Sequence, residues 1–231
     1  MTNDGVAYWL WRGGLRAMTL ALVSALVLII ALSLGWNSPR PTRYPDWQAA
    51  DFPLNLEVAL DETVVSLLGC PGGDFTFESQ AAPILGPDFN GYGLVYRAQD
   101  ADHYYAFGIG SDGYYAVLRV AGKEEEALVD WQQFPHIHRG RQNNRLRVSC
   151  LGAICRFYIN DEYAISVEDA AWLAGDVGLW VRGFEEEKTM IQFLSARVWR
   201  GMRAMNSLGT DAPSEFTGKS QNAPACGWGG K

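Results

Sequence analysis

Residues 91–120 read GYGLVYRAQDADHYYAFGIGSDGYYAVLRV, and the reading of this stretch decides the fold. Within residues 91–98, Leu94 and Tyr96 alternate with small or polar neighbours, and two more runs, residues 104–109 and 114–120, flank Ser111-Asp112-Gly113. Period-2 alternation marks a strand with one buried face, and an Asp-Gly step between two such runs marks a hairpin turn. Residues 145–150 and 155–160 form a second hairpin around Leu151-Gly152-Ala153-Ile154, and residues 177–182 and 190–199 read as closing strands. In that hairpin Leu146, Val148 and Cys150 share one face, as do Cys155, Phe157 and Ile159, and these are the faces expected to be buried. From Phe52 to Trp199 no helical period runs longer than a few turns, so the expectation is one all-β domain over residues 51–200.

Upstream lies a different pattern. Residues 17–35 carry no charge and include Leu20, Leu22, Val23, Leu26, Val27, Leu28, Ile29, Ile30, Leu32 and Leu34. A run of this length is about the ~20 residues a helix needs to span hydrocarbon. Trp9 and Trp11 before it and Trp36 after it suit the two headgroup layers, and Arg12 and Arg16 favour a cytoplasmic N-terminus over residues 1–16. The expectation is a single-pass cell-membrane protein held in lipid by residues 17–35, with its C-terminal domain extracytoplasmic. The alternative is a signal peptide cleaved near Ala31-Leu32-Ser33, which exports the same domain as a secreted protein. Residues 36–50, with Pro39, Pro41 and Pro45, read as a stiff linker. Residues 201–231 are poor in large apolar groups and read as a mostly disordered tail.

The chain has 231 residues and a formal net charge of -7. That balance, without any cluster of Lys and Arg, argues against nucleic acid as a partner. Aromatic residues make up 13% of the chain, with nine Trp and ten Tyr, which suits strands and surfaces that stack on flat or sugar-like ligands.

The succession in residues 91–120, then Trp131, NNRLRVSCLGAICRFYIN, and GDVGLWVRGFEEEKTMIQFLSARVW resembles the concanavalin A-like lectin/glucanase superfamily. It is similar above all to laminin G-like modules and to the domain described as 3-keto-disaccharide hydrolase. The resemblance covers about residues 51–199. Its most specific parts are the strand of residues 146–148, the strand end Phe157-Tyr158-Ile159-Asn160, and the strand of residues 177–179. It implies a two-sheet antiparallel jelly-roll sandwich with a curved concave face. The sequence departs from the family pattern at Asn160-Asp161, where a Gly commonly follows the Asn, so a turn of different build is expected there.

Cys150 and Cys155 bracket the four-residue loop and point the same way, which makes them candidates for a cross-strand disulfide in an exported domain, with a pair of buried thiols as the alternative. Cys70 and Cys226 are too far apart in sequence for any pairing rule and read as free thiols. His136-Ile137-His138 places two imidazoles on one strand face with no third ligand near in sequence. They therefore read as exposed strand histidines, with no metal assigned. Loop residues Asp88, Asn90, Asp100, Asp102 and Asp112 offer oxygens to calcium, which laminin G-like relatives can bind, but Asp and Asn are also favoured turn residues.

Retaining glucanases of this superfamily carry a Glu-x-Asp-x-x-Glu-like motif on one strand, and the sequence has none. Glu124-Glu125-Glu126 and Glu185-Glu186-Glu187 read as solvated loops. What remains is a binding surface of strand aromatics and arginines: Tyr96, Arg97, Tyr105, Tyr115, Arg119, Trp131, Trp180 and Arg182 can stack on sugar rings and donate hydrogen bonds. Arg97, Trp180 and Arg182 form the set of first interest. Three functions follow: a non-catalytic module that recognises glycan or another cell-envelope ligand, an accessory subunit of a larger membrane complex, and a glycoside hydrolase-like enzyme.

Overall fold

The computed structural model describes residues 16–29, 44–185 and 187–201. The chain divides into two units, residues 1–40 and 41–231.

In the first unit, residues 16–29 form one helix, with every side chain from Arg16 to Ile29 exposed. Among the described residues no helix is long and apolar enough to cross a membrane. Residues 30–35 of the expected span lie outside the described residues, as do residues 1–15, 30–43 and 202–231 generally.

In the second unit, the regular elements among the described residues are all strands. In chain order the strands are β1 (Trp47–Gln48), β2 (Leu54–Val58), β3 (Thr63–Leu67), β4 (Phe75–Leu85), β5 (Asn90–Ala98), β6 (His103–Ile109) and β7 (Tyr114–Ala121). They continue with β8 (Glu124–Gln133), β9 (Asn144–Leu151), β10 (Ile154–Ile159), β11 (Glu162–Glu168), β12 (Asp176–Gly183) and β13 (Thr189–Arg200). One sheet runs β1-β13-β4-β9-β10-β11 with β2 also on β13, and the other runs β3-β12-β5-β6-β7-β8. All pairings between strands are antiparallel. The two hairpins expected from the turn residues are present as β6–β7 and β9–β10.

The core lies between the sheets, where inward positions of both supply Phe77, Leu94, Phe107, Leu146, Phe157, Leu179 and Phe193, all fully buried. Each such side chain contributes on the order of 1.5–3 kcal/mol. Cys150 and Cys155 sit opposite each other on β9 and β10 and are joined, with Cα atoms 4.1 Å apart. Cys70 is also disulfide-bonded, contrary to the expectation of a free thiol; Cys226 lies outside the described residues.

Several expectations are corrected. Trp47 and Gln48, assigned to the linker, pair with Val198 and Arg197 and so belong to the seven-stranded sheet. Glu124-Glu125-Glu126, read as a solvated loop, are exposed as expected but open strand β8, where their backbone pairs with β7 and arginines meet the carboxylates of Glu125 and Glu126. His136 and His138 stand in the β8–β9 loop, not on a strand. Ile137 between them is buried, and His138 Nδ1 lies 3.0 Å from the Asn143 carbonyl. The unusual turn at Asn160-Asp161 is built from two left-handed residues, with φ of 53° and 72°, the pair of positive φ values that a two-residue hairpin of this twist requires.

Candidate functional site

The outer face of the six-stranded sheet is the candidate site. Inward positions of its strands feed the core, so the alternate positions must face away from it. Those positions carry a second apolar cluster: Val95, Tyr104, Ala106, Ala116, Leu118 and Trp180, with Val65, Val120 and Trp131 packed against it.

Trp180 projects from β12, and its indole reaches over β5 and β6. The bed is made of glycine. A Cβ on Gly108 would come within 2.6 Å of Trp180 Cζ3, and one on Gly91 within 2.9 Å of Cη2. Although it faces outward, Trp180 is only 1% exposed.

Its cover comes from across the sheet. Arg182 on β12 donates through Nη1 to both carboxylate oxygens of Glu125 on β8, at 2.9 and 2.8 Å. Just past β12, Phe184 meets Trp131 of β8 edge-on, with ring centroids 6.0 Å apart. Three strands separate β12 from β8; on a flat sheet they would stand about 19 Å apart, which an arginine and a glutamate side chain do not span. The sheet is therefore curled into a trough floored by Trp180.

On either side of this bridge the trough opens into a cleft. One, of about 440 Å³, is lined by Phe89, Asn90, Asp112, Tyr114, Trp131 and Phe184. Phe89 is 52% exposed at its rim, and its ring lies 5.1 Å from that of Phe184. The polar groups are held in place. Asn90 Nδ2 donates to the Pro87 carbonyl and its Oδ1 accepts from the Ser111 hydroxyl. The Tyr114 hydroxyl accepts from Gln133 Nε2 at 3.0 Å, which leaves its own proton available to a ligand. The other cleft, of about 640 Å³, is more polar and is walled by Thr63, Val65, Asp102, Tyr104, Lys123 and Arg182 among others.

The predicted site residues do not converge. Trp131, Trp180 and Arg182 share the trough. Tyr96 and Tyr115 are core residues on the inward face of the same sheet. Arg97 is 1% exposed and leaves the outer face altogether, because the β5–β12 register shifts beside it and its own φ is 52°. A bulge of this kind re-aims a side chain, and here it turns the guanidinium toward the backbone carbonyls of Gly152, Trp172 and Gly73. Tyr105 and Arg119 are inward too, and both hold Asp169: the Tyr105 hydroxyl donates to Oδ1 at 2.5 Å and Arg119 Nη1 to Oδ2 at 2.7 Å. Burial and this bond push the Tyr105 hydroxyl up to about 12, so it stays a donor. Arg119 also pairs with Glu126.

Phe89, Tyr114 and Phe184 were missed. The signal for Phe184 was present, since Trp180, Arg182 and Phe184 follow at period 2 on one face. Among the calcium candidates, Asp100 accepts from the backbone N–H of Asp102 and His103, a turn role. No group of three or more His, Cys, Asp or Glu among the described residues could hold a metal ion.

No family model matches the chain, and no curated protein matches it in sequence. Solved structures do match. A carbohydrate binding module, CBM66, from Bacillus subtilis is similar at a TM-score of 0.52 and 17% identity, over 65% of this chain and 94% of that one. A functionally unknown protein from Saccharomyces cerevisiae follows at 0.49 and 14%, over 64% and 88%, and sheep galectin-11 at 0.44 and 13%, over 65% and 100%. At such identities the first likeness shows the fold, and the two below 0.5 carry no argument. The two-sheet sandwich is consistent with a concanavalin A-like jelly roll.

Proposed function

We propose that the chain is a membrane-anchored extracytoplasmic module that recognises a carbohydrate, without catalysis, in the aromatic cleft of the trough. The observation that carries this is the lining of that cleft. Phe89, Tyr114, Trp131 and Phe184 surround it, with one amide and one carboxylate, Asn90 and Asp112, beside them. Aromatic faces pack against the C–H face of a pyranose ring, and a few fixed polar groups then select its hydroxyl pattern. A module named for carbohydrate binding shares the fold, which raises the prior without deciding the ligand. Hydrolysis needs two carboxyl groups across the scissile bond, and Asp112 is the one carboxylate among the described residues lining this cleft. Anchoring is supported by the exposed apolar side chains Leu20, Leu22, Val23, Leu26 and Leu28 on the described helix; flotation of the full chain with lipid vesicles tests it.

The test of binding is a glycan array followed by titration calorimetry on the best pyranose. Trp131→Ala is expected to weaken binding by about tenfold or more, from the loss of one stacking face, with affinity read well below the melting temperature, which falls because Trp131 also packs on the apolar cluster around Trp180. Equal affinity in both proteins, or an array with no bound sugar, would overturn the reading.

A further inference from the structure

The two clefts have no lining residue in common: the Arg182–Glu125 ion pair walls one, and Phe184, on which the guanidinium rests, walls the other. The Arg182 side chain closes the polar cleft, and its guanidinium also lies over Phe184, with Cζ 5.5 Å from the ring centroid. Phe184 in turn walls the aromatic cleft. The partition is therefore thin: a guanidinium–carboxylate bridge on one side and one phenyl ring on the other. Beneath it lies Trp180, an outward-facing indole seated on Gly91 and Gly108.

The bridge is also weak. The side chains of Arg182 and Glu125 are 30% and 40% exposed, and a pair so hydrated holds its geometry only loosely and is screened by salt. It joins strands with no hydrogen-bond ladder between them, so breaking it leaves the sheet pairing intact.

Resting on the carbohydrate reading above, we propose that the Arg182–Glu125 bridge is a removable partition: its opening joins the two clefts into one trough over Trp180, which takes an oligosaccharide chain of several pyranose units. One sugar occupies the aromatic cleft with the bridge closed. A longer chain must cross the line of the bridge to reach the polar cleft, where Thr63, Asp102, Tyr104 and Lys123 offer hydroxyl, carboxylate and ammonium groups to its hydroxyls. The longer chain therefore works against the bridge, and the single sugar does not.

The experiment titrates the full chain with mono- to tetrasaccharide series of glucose, galactose, mannose, fructose and N-acetylglucosamine at low and at 0.5 M salt. Glu125→Gln keeps the shape of the side chain and removes its charge. It is expected to bind the tetrasaccharide of the recognised series about three- to fivefold more tightly than wild type at low salt, the factor an exposed pair supplies, with monosaccharide affinity unchanged. High salt should bring wild type toward the variant and leave the variant in place. Thr63→Trp, which fills the polar cleft from its exposed edge strand, should abolish the gain with chain length and again spare the monosaccharide. Chain-length profiles that are identical in wild type and Glu125→Gln, while Trp131→Ala still weakens the monosaccharide, would overturn the partition alone. Absence of binding in all five series would overturn the carbohydrate reading and the partition with it.

Discussion

Arg97→Met separates a fold-holding arginine from a ligand-binding one. The bulge at Arg97 sends its guanidinium away from the trough, so the substitution should cost stability and leave binding alone. In the native chain it donates to three backbone carbonyls, those of Gly152 at 2.5 Å, Trp172 at 3.3 Å and Gly73 at 3.4 Å. A hydrogen bond from a charged donor is worth about 1.5–3 kcal/mol net; the short bond takes that full value, and the two long ones together add a fraction of it. Against this stands the burial of the guanidinium itself, which lowers its pKa, since desolvation outweighs the neighbouring Tyr96, Tyr105, Asp74 and Asp169. Methionine removes that cost and fills most of the volume of the arginine stem. The balance is a loss of about 1–3 kcal/mol. For a domain of this size that lowers the melting temperature by about 2–12 °C. Thermal melts by circular dichroism measure the first half of the claim, and calorimetric titration of the recognised sugar well below the lower melting temperature measures the second. A variant as stable as wild type that no longer binds would refute the reasoning and return Arg97 to the site.

Gly108→Ala places a methyl 2.6 Å from the Trp180 ring; the buried indole must lift from its bed, at about 1–3 kcal/mol, so the melting temperature should fall by about 3–10 °C and sugar binding should weaken with it, as melts and titrations on one preparation will show. For Asp169, burial opposes ionisation, but the Tyr105 hydroxyl, the Ala171 N–H, Arg119 and Arg97 outweigh it and hold the carboxyl below its ordinary value. A carboxyl depressed in the folded state contributes stability that is present above its unfolded pKa and lost as pH falls through the folded one. Asp169→Asn should therefore be less stable at pH 7 and show a flatter acid limb below about pH 4; parallel acid limbs in melting temperature against pH would count against it.

The fold was legible where sequence and structure speak at the same range. Residues 91–98, 104–109 and 114–120 alternate and are joined by a turn whose chemistry allows one geometry, and they appear as β5, β6 and β7. Cys150 and Cys155 were readable for the same reason, as facing positions of one hairpin. Strand β4 was not, because its inward series Phe75, Phe77, Ser79 and Ala81 includes a serine that the core tolerates only by bonding the Ser195 carbonyl at 2.6 Å, a partner 116 residues away. Strand β8 was hidden by its three glutamates, whose partners Arg119 and Arg182 come from other strands.

The site was legible by face and illegible by assembly. Period 2 assigns Trp180, Arg182 and Phe184 to one face, and nothing tertiary is needed for that step. What it cannot supply is the order β3-β12-β5-β6-β7-β8, which sets a strand from late in the chain between two early ones, or the curl that brings Glu125 to Arg182 over three intervening strands. Arg97 fails in the opposite way: one left-handed residue reverses the alternation, and a bulge has no period to betray it. The sequence had one mark of the curl, visible only in retrospect. Gly91, Gly93 and Gly108 share a face in adjacent strands, a run of missing side chains that would weaken an ordinary strand; beneath a tryptophan on the same face, that gap is where the ring must lie.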